Sequence, residues 1–254
     1  MHFHGIPGSR LERHVDDRIY ERLGVRYITV DRPGYGKSEP SPGRTFVDWG
    51  ADVDELTTIL RIERFRAFAV SGGAPFALAV AAVFPDSVER VAIVSGVGPV
   101  DRPGAFRGME VTERATYWAA PRYPRATAAI TGVALGGATR ASDALARAAS
   151  HAGKTVGARA LGARAITEQL RESLRQGART MVWENTLCAR PWGFELASVS
   201  CDVQLWHGDR DHVCPLHHAR YVASALPHAT LTERRGGHML VLRVAEEALR
   251  ALIA

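Results

Sequence analysis

Lysine is nearly absent from this sequence: of 32 basic residues, only Lys37 and Lys154 are lysines, and the others are arginines. The formal net charge of +5 therefore comes from arginines, which are scattered along the chain without a run of like charges. Contact with nucleic acid or a membrane surface would need such a run or patch. We therefore expect no nucleic acid and no membrane as partners, and attribute the basic balance to a GC-rich genome.

Cysteines and long apolar runs are also scarce. Cys188, Cys201 and Cys214 are odd in number and lack C-x-x-C spacing, which argues against a disulfide framework and a zinc ribbon. The sequence contains no run of about 18 apolar residues, the length that a membrane span requires. Its first residues lack the basic and apolar segments of a secretion signal. These absences favour a cytoplasmic location.

The chain has the composition of an ordinary folded protein, with 254 residues, 46% hydrophobic and 23% charged. Runs of β-branched and aromatic residues predict parallel strands over 25–31, 66–70, 90–95 and 203–207. Apolar residues at helical spacing predict helices over 53–60 and 74–83. Near the C-terminus, the same spacing places four residues on one helix face: Leu242, Ala245, Leu249 and Leu252.

This alternation of strands and helices predicts the α/β fold class, with a mostly parallel sheet flanked by helices on both faces. In such a fold, functional groups gather at the carboxyl ends of the strands. The alternation stops between residues 99 and 190, where prolines punctuate a helical, Ala-rich stretch. We predict that 99–190 is a helical cap inserted into a core formed by 1–98 and 191–254.

The cap carries bulky side chains that are candidates for the wall of a substrate pocket. Each of them could instead pack inside the cap, and for any one residue taken alone the sequence favours this packing role. The candidates are Tyr117, Trp118, Tyr123, Met181 and Trp183.

Ser71 is the candidate nucleophile. It follows the strand predicted over 66–70, precedes the helix predicted over 74–83, and has Ala69 and Gly73 two positions before and after it. A serine in this tight strand-to-helix turn needs small neighbours, because the strained backbone leaves no room for side chains. The alternative is an ordinary glycine-rich turn that binds phosphate, but the G-x-G-x-x-G spacing is missing.

A nucleophilic serine needs a base, and the base needs a carboxylate that orients it. Among ten histidines we select His238, because it lies in a glycine-bounded loop before the last helix. Asp211 and Asp209 both follow the strand predicted over 203–207. Asp211 is the preferred acid, since Asp209 suits a turn residue that bonds its own backbone.

The oxyanion that forms during attack needs two N–H donors. Gly72 supplies one, at the start of the helix after Ser71. The loop that contains His4, Gly5 and Ile6 supplies the other through the N–H of Ile6. His4 itself is expected to pack within the loop rather than to transfer protons.

These segments together resemble the capped serine hydrolases of the α/β-hydrolase superfamily. The resemblance rests on an HGxPGS loop at 4–9, a DRPGYGxS loop at 31–38 and a VSGGxP turn at 70–75, and it covers roughly 1–98 and 190–254. It implies that Ser71, Asp211 and His238 form a triad, that Ile6 and Gly72 form the oxyanion hole, and that no cofactor or metal is used. It also implies that Asp31 and Arg32 are structural.

Two features depart from the family pattern. Ala69 stands where glycine is usual, and only three residues precede the HG loop, where relatives have a full strand and two more before it. Either the start is truncated or the sheet lacks an edge, and an open edge favours a homodimer.

The resemblance implies a hydrolase for a small-molecule carboxylic ester, lactone or thioester. A cyclase or C–C bond hydrolase that uses the same serine, and a ligand-binding protein without turnover, remain alternatives because the fold does not fix the substrate.

Overall fold

The computed structural model describes residues 1–14, 16–151 and 158–254. Five strands form one sheet in which every strand pairs in parallel with its neighbours. Their spatial order is also their chain order: β1 (His2–Phe3), β2 (Phe65–Val70), β3 (Val88–Val94), β4 (Asp202–Gly208) and β5 (Ala229–Arg234). The predicted α/β fold with a parallel sheet is confirmed.

The described helices surround this sheet and fill the interval between β3 and β4. They are α1 (Arg18–Arg22), α2 (Asp48–Leu60), α3 (Ala74–Val83), α4 (Val111–Ala119), α5 (Pro124–His151), α6 (Ala158–Ser173), α7 (Arg179–Cys188), α8 (Leu216–Ala225) and α9 (Val241–Ile253). None of them combines the length and apolarity that a membrane span requires, as far as the described residues extend.

Side chains alternate across the sheet and build one apolar cluster on each face. In β2, Ala67 and Ala69 face the cluster that holds α2, α3 and α8, whereas Phe68 faces the cluster that holds α1 and α9. This period of two is what a strand buried on both faces requires. The helix α3 is apolar on every side because it is buried along nearly its whole length.

The strand predicted over 25–31 is wrong. Only Thr29 forms a bridge, to His2, and the His2 N–H donates to the carbonyl of Ile28 at 2.8 Å. Because β1 has only two residues, it offers too short an edge for a full partner strand. Tyr27 instead stacks on Tyr20, with the ring centroids 4.2 Å apart.

The predicted buried face of the last helix needs one correction. Ala245, Leu249 and Leu252 are buried in α9, but Leu242 is 52% exposed. The strand β5 was missed altogether, because its sequence ATLTER is polar at the sheet edge and lacks an apolar run.

The interval predicted as a cap contains α4 to α7 and no strand among its described residues. The last of these helices, α7, contributes Leu187 and Cys188 to the apolar cluster of the sheet. Trp192, just after α7, is buried against Phe46. The segment around Trp192 therefore packs on the core of the sheet.

Candidate active site

Ser71 lies directly after β2 with a backbone φ of +52°, in the left-handed region that residues other than glycine rarely adopt. Gly72 and Gly73, which follow Ser71, each lie close to another segment of the chain. A Cβ at Gly73 would overlap the carbonyl oxygen of Phe3, and one at Gly72 would overlap the Ile6 side chain. The small residues after Ser71 are therefore required by the approach of the loop that follows β1.

A continuous chain of hydrogen bonds joins three side chains from three separate loops. The Ser71 Oγ lies 3.0 Å from His238 Nε2, and His238 Nδ1 lies 2.9 Å from Asp211 Oδ2. In a neutral His238 with its proton on Nδ1, this geometry lets Nδ1 donate to Asp211 and Nε2 accept the Ser71 hydroxyl. The structure thus brings together Ser71, His238 and Asp211.

Asp211 rather than Asp209 contacts the histidine. Its Oδ1 accepts the N–H groups of Val213 and Cys214, both at 2.9 Å. Asp209 instead accepts the N–H of Gly236 at 3.0 Å and stays exposed, which is a turn-stabilising contact.

The Asp211 carboxyl is buried yet remains charged. Burial alone would raise the pKa of Asp211, but hydrogen bonds from His207 and His238 outweigh burial and hold the pKa well below its usual range. Asp211 is therefore a fixed negative charge behind the His238 ring.

The two residues proposed to supply the oxyanion donors are neighbours, because the Ile6 side chain packs directly against Gly72. Within the described part of the chain, neither the Ile6 N–H nor the Gly72 N–H donates to another protein group. Both donors line the same turn as Ser71. They are available to an oxygen atom bound at that point.

A cavity of about 310 Å³ opens beside Ser71 and His238. Phe68 and Val70 of β2 line it, together with Val241, Ala245 and Leu249 of α9. These three helix residues span eight positions, which corresponds to roughly 12 Å at 1.5 Å per residue. Leu242 also lines this cavity, which explains its exposure.

None of the five bulky cap residues selected from the sequence lines this cavity. Tyr117 is buried beside Phe106, Trp118 and Tyr123 are 53% and 58% exposed and contact each other, and Met181 is half-buried. Trp183 donates its indole N–H to the carbonyl of Arg44 at 2.9 Å. The interval between β3 and β4 reaches the cavity through α6 instead, with the side chains of Ala165, Ile166, Gln169 and Leu170.

Several residues at the site were not selected from the sequence. Glu12 accepts the Gly5 N–H, and His207 lies 3.4 Å from Asp211. Glu113 of α4 interacts electrostatically with His238, which is far from it in sequence. No local motif marks these three residues.

A search for groups of three or more His, Cys, Asp or Glu side chains that could hold a metal ion found none outside the undescribed positions 15 and 152–157.

Comparison with known proteins gives a consistent result for the fold. The curated sn-1-specific diacylglycerol lipase ABHD11 of Danio rerio is 30% identical over 92 residues, which is 36% of this chain and 29% of that protein. This chain therefore matches less than a third of that relative's length.

Two solved structures cover 99% of this chain at a TM-score of 0.65. They are the enol-lactonase from Burkholderia xenovorans LB400, with 16% identity and 88% of its chain covered, and the esterase EaEST from Exiguobacterium antarcticum, with 17% identity and 89% covered. At these identities the likeness concerns the fold.

The model of one family, described as alpha/beta hydrolase fold, matches residues 2–243. This match covers nearly the whole chain and includes the three loops that carry Ser71, Asp211 and His238. The chain belongs to the alpha/beta hydrolase fold family.

Proposed function

We propose that this chain is a serine hydrolase that cleaves carboxylic esters through an acyl-enzyme on Ser71. The observation that carries the proposal is the hydrogen-bonded series Ser71, His238 and Asp211 at the mouth of an apolar cavity. The activity named for the Danio rerio relative, a diacylglycerol lipase, is also an ester hydrolysis.

The proposed reaction proceeds in two halves. His238 Nε2 takes the proton of Ser71 while Oγ attacks the ester carbonyl, and the Ile6 and Gly72 N–H groups bind the resulting oxyanion. The tetrahedral intermediate collapses, and His238 gives its proton to the departing alcohol. Water then attacks the acyl-enzyme with His238 again as base, which releases the acid and restores Ser71. Asp211 holds the His238 tautomer throughout.

The alternatives are less well supported by the site. A binding protein without turnover has no need of a serine in a strained conformation within hydrogen-bond reach of an oriented histidine. A cyclase or a C–C bond hydrolase would use the same three residues, and only the choice of substrate separates these from an esterase.

The shape of the cavity favours esters with an extended apolar group. The apolar side chains of Phe68, Val70, Val241 and Leu249 line the cavity. Glu12 and Gln169 are polar lining residues, and they hydrogen-bond each other at 3.1 Å. Each methylene that enters such a space contributes about 0.8 kcal/mol. We propose that the apolar chain of the substrate lies against the side chains of β2 and α9 that line the cavity.

The nucleophile is tested with a fluorophosphonate, which labels an activated serine. We expect labelling of Ser71 in the wild-type chain, and loss of both labelling and ester turnover in Ser71→Ala. Ser95→Ala is the matched control, because Ser95 also follows a strand with a positive φ of 51° but is fully buried. Labelling that survives Ser71→Ala would contradict the nucleophile assignment.

The acid is tested by comparing Asp211→Asn with Asp209→Asn. An amide at 211 favours the wrong His238 tautomer, and the corresponding change in a serine protease lowers kcat by about 10⁴, or about 5 kcal/mol. We expect a loss of this order at 211 and little change at 209. A larger loss at 209 would show that the wrong carboxylate was assigned.

The dependence of kcat/KM on pH follows from the charges around His238. Protonation of the imidazole removes the base, so activity should fall on the acid side. Because the lowered pKa keeps Asp211 ionised, Asp211 itself should add no ionisation to this limb. Burial raises the pKa of Glu113, whose carboxylate form favours a protonated His238. Glu113→Gln should therefore move the limb to lower pH, whereas Glu246→Gln on the exposed side of α9 should not.

The cavity is tested with a series of 4-nitrophenyl esters from acetate to decanoate and a matching series of alkyl acetates. In the series whose varied chain enters the cavity, kcat/KM should rise about fourfold for each added methylene until the cavity is full. Ala245→Phe should remove this rise and spare the acetate. Ala251→Phe, on the same helix but away from the cavity, should preserve it. A flat response in both wild-type series would contradict the apolar substrate.

A further inference from the structure

The peptide group between Gly5 and Ile6 is held by its carbonyl. The Gly5 oxygen accepts a hydrogen bond from Arg32 Nη2 at 3.0 Å and another from His4 Nδ1 at 2.9 Å. Arg32 Nη1 also donates to the carbonyl of His4 at 2.6 Å. Arg32 and His4 are both buried, so water does not compete for these contacts.

One guanidinium therefore binds the carbonyls of two successive peptide groups. In a planar trans peptide the N–H points away from the C=O, so a fixed carbonyl also fixes the N–H. The N–H of the first peptide, at Gly5, donates to the Glu12 carboxylate at 3.2 Å. The N–H of the second, at Ile6, has no acceptor in the described residues, and the Ile6 side chain lies against Gly72.

The protonation of His4 agrees with this arrangement. Its Nε2 accepts the Arg32 backbone N–H at 3.3 Å, so the ring proton lies on Nδ1 and points to the Gly5 oxygen. Burial, with the charge of Arg32, keeps the pKa of His4 well below its usual range. His4 is therefore a neutral donor to the Gly5 oxygen.

The guanidinium is itself anchored from the cap. Arg32 Nε and Nη2 donate to the two carboxylate oxygens of Glu184 on α7, at 2.8 and 2.7 Å. The Arg32 guanidinium also stacks on the ring of Phe76, with its carbon 4.3 Å from the ring centroid. Arg44 binds the same Glu184, and its guanidinium also donates to the carbonyl of Pro33 and lies over the Phe76 ring.

We propose that Arg32 is a positioning residue for the oxyanion hole: it holds the Gly5–Ile6 peptide so that the Ile6 N–H faces the oxygen of a carbonyl attacked by Ser71. This inference rests on the proposed function. Donors on a carbonyl also polarise the attached N–H, which strengthens Ile6 as a donor. A lysine would keep the charge but lack the planar fork that reaches both carbonyls and Glu184.

The test compares Arg32→Lys with Arg44→Lys. Both variants alter a guanidinium bound to Glu184, but only Arg32 contacts the loop at residues 4–6. Loss of an oxyanion donor costs about 10²–10³ in kcat, so a misplaced donor should cost roughly ten- to a hundredfold. We expect this loss in kcat for Arg32→Lys with KM nearly unchanged, and a much smaller loss for Arg44→Lys.

An alkyl trifluoromethyl ketone gives a second measurement, because its adduct with Ser71 carries an oxyanion. Its inhibition constant should rise in Arg32→Lys by the factor that kcat/KM falls. Equal effects of the two lysine variants on kcat and on this constant would show that Arg32 has only a structural role, and would overturn the proposal.

The amide resonance of Ile6 supplies a readout that does not depend on turnover. We expect it to move upfield in Arg32→Lys, because the polarising donor is lost, and to stay in place in Arg44→Lys. His4→Gln, which keeps Arg32 but removes the second donor to Gly5, should move it in the same direction if Arg32→Lys does not fold. An unmoved resonance overturns the positioning role, whereas a wild-type chain without turnover on any ester overturns only the proposed function.

Discussion

The close approach of two backbone segments is the constraint on which the site depends. Gly73, two residues after Ser71, lies so near the carbonyls of Phe3 and His4 that no side chain fits between them. This approach is possible because β1 and β2 pair in parallel and end at the same sheet edge, with Phe3 opposite Ala69. The loops that leave the two strands therefore meet, which brings Ile6 to Gly72 and both to Ser71.

A buried ionic cluster maintains the loop that makes this contact. Arg32, Arg44 and Glu184 are almost completely buried, and Glu184 lies between the two guanidinium groups. A buried ion pair is weak evidence for stability, since apolar residues often replace one without loss, but removal of one partner costs about 3–5 kcal/mol. The contribution of the cluster is better understood as orientation. Apolar packing has no directional preference, whereas a guanidinium fork fixes the direction of each carbonyl that it binds.

The elements that the sequence predicted correctly are those that their own neighbouring residues specify. The apolar run at 74–83 became α3 with the same bounds, and the small residues around Ser71 marked a turn whose crowding the structure explains. The prediction of a strand over 25–31 was wrong because a strand also needs a partner edge, and β1 is too short to provide one. The predicted cavity wall was wrong because Tyr117 of α4 is buried near Phe106 and Trp118 does not line the cavity, whereas α6, which has no aromatic residue, does. Long-range contacts such as Arg32 with Glu184 have no local signature.

Two of the helices between β3 and β4, α6 and α7, are held to the core by contacts of different strength. The α6 helix meets the core through partly exposed polar contacts, such as Gln169 with Glu12 at 3.1 Å, which contribute about 0.5–1.5 kcal/mol each. The α7 helix instead places Glu184 in the buried ionic cluster and Leu187 and Cys188 in the apolar cluster of the sheet. Displacement of α7 would leave buried guanidinium groups without their carboxylate, at a cost several times larger. In energetic terms α7 is therefore part of the core that holds the loop at residues 4–6, although it lies in the interval between β3 and β4. The α6 helix lines the cavity through weaker contacts, so a rearrangement that admits substrate through the insertion costs least there.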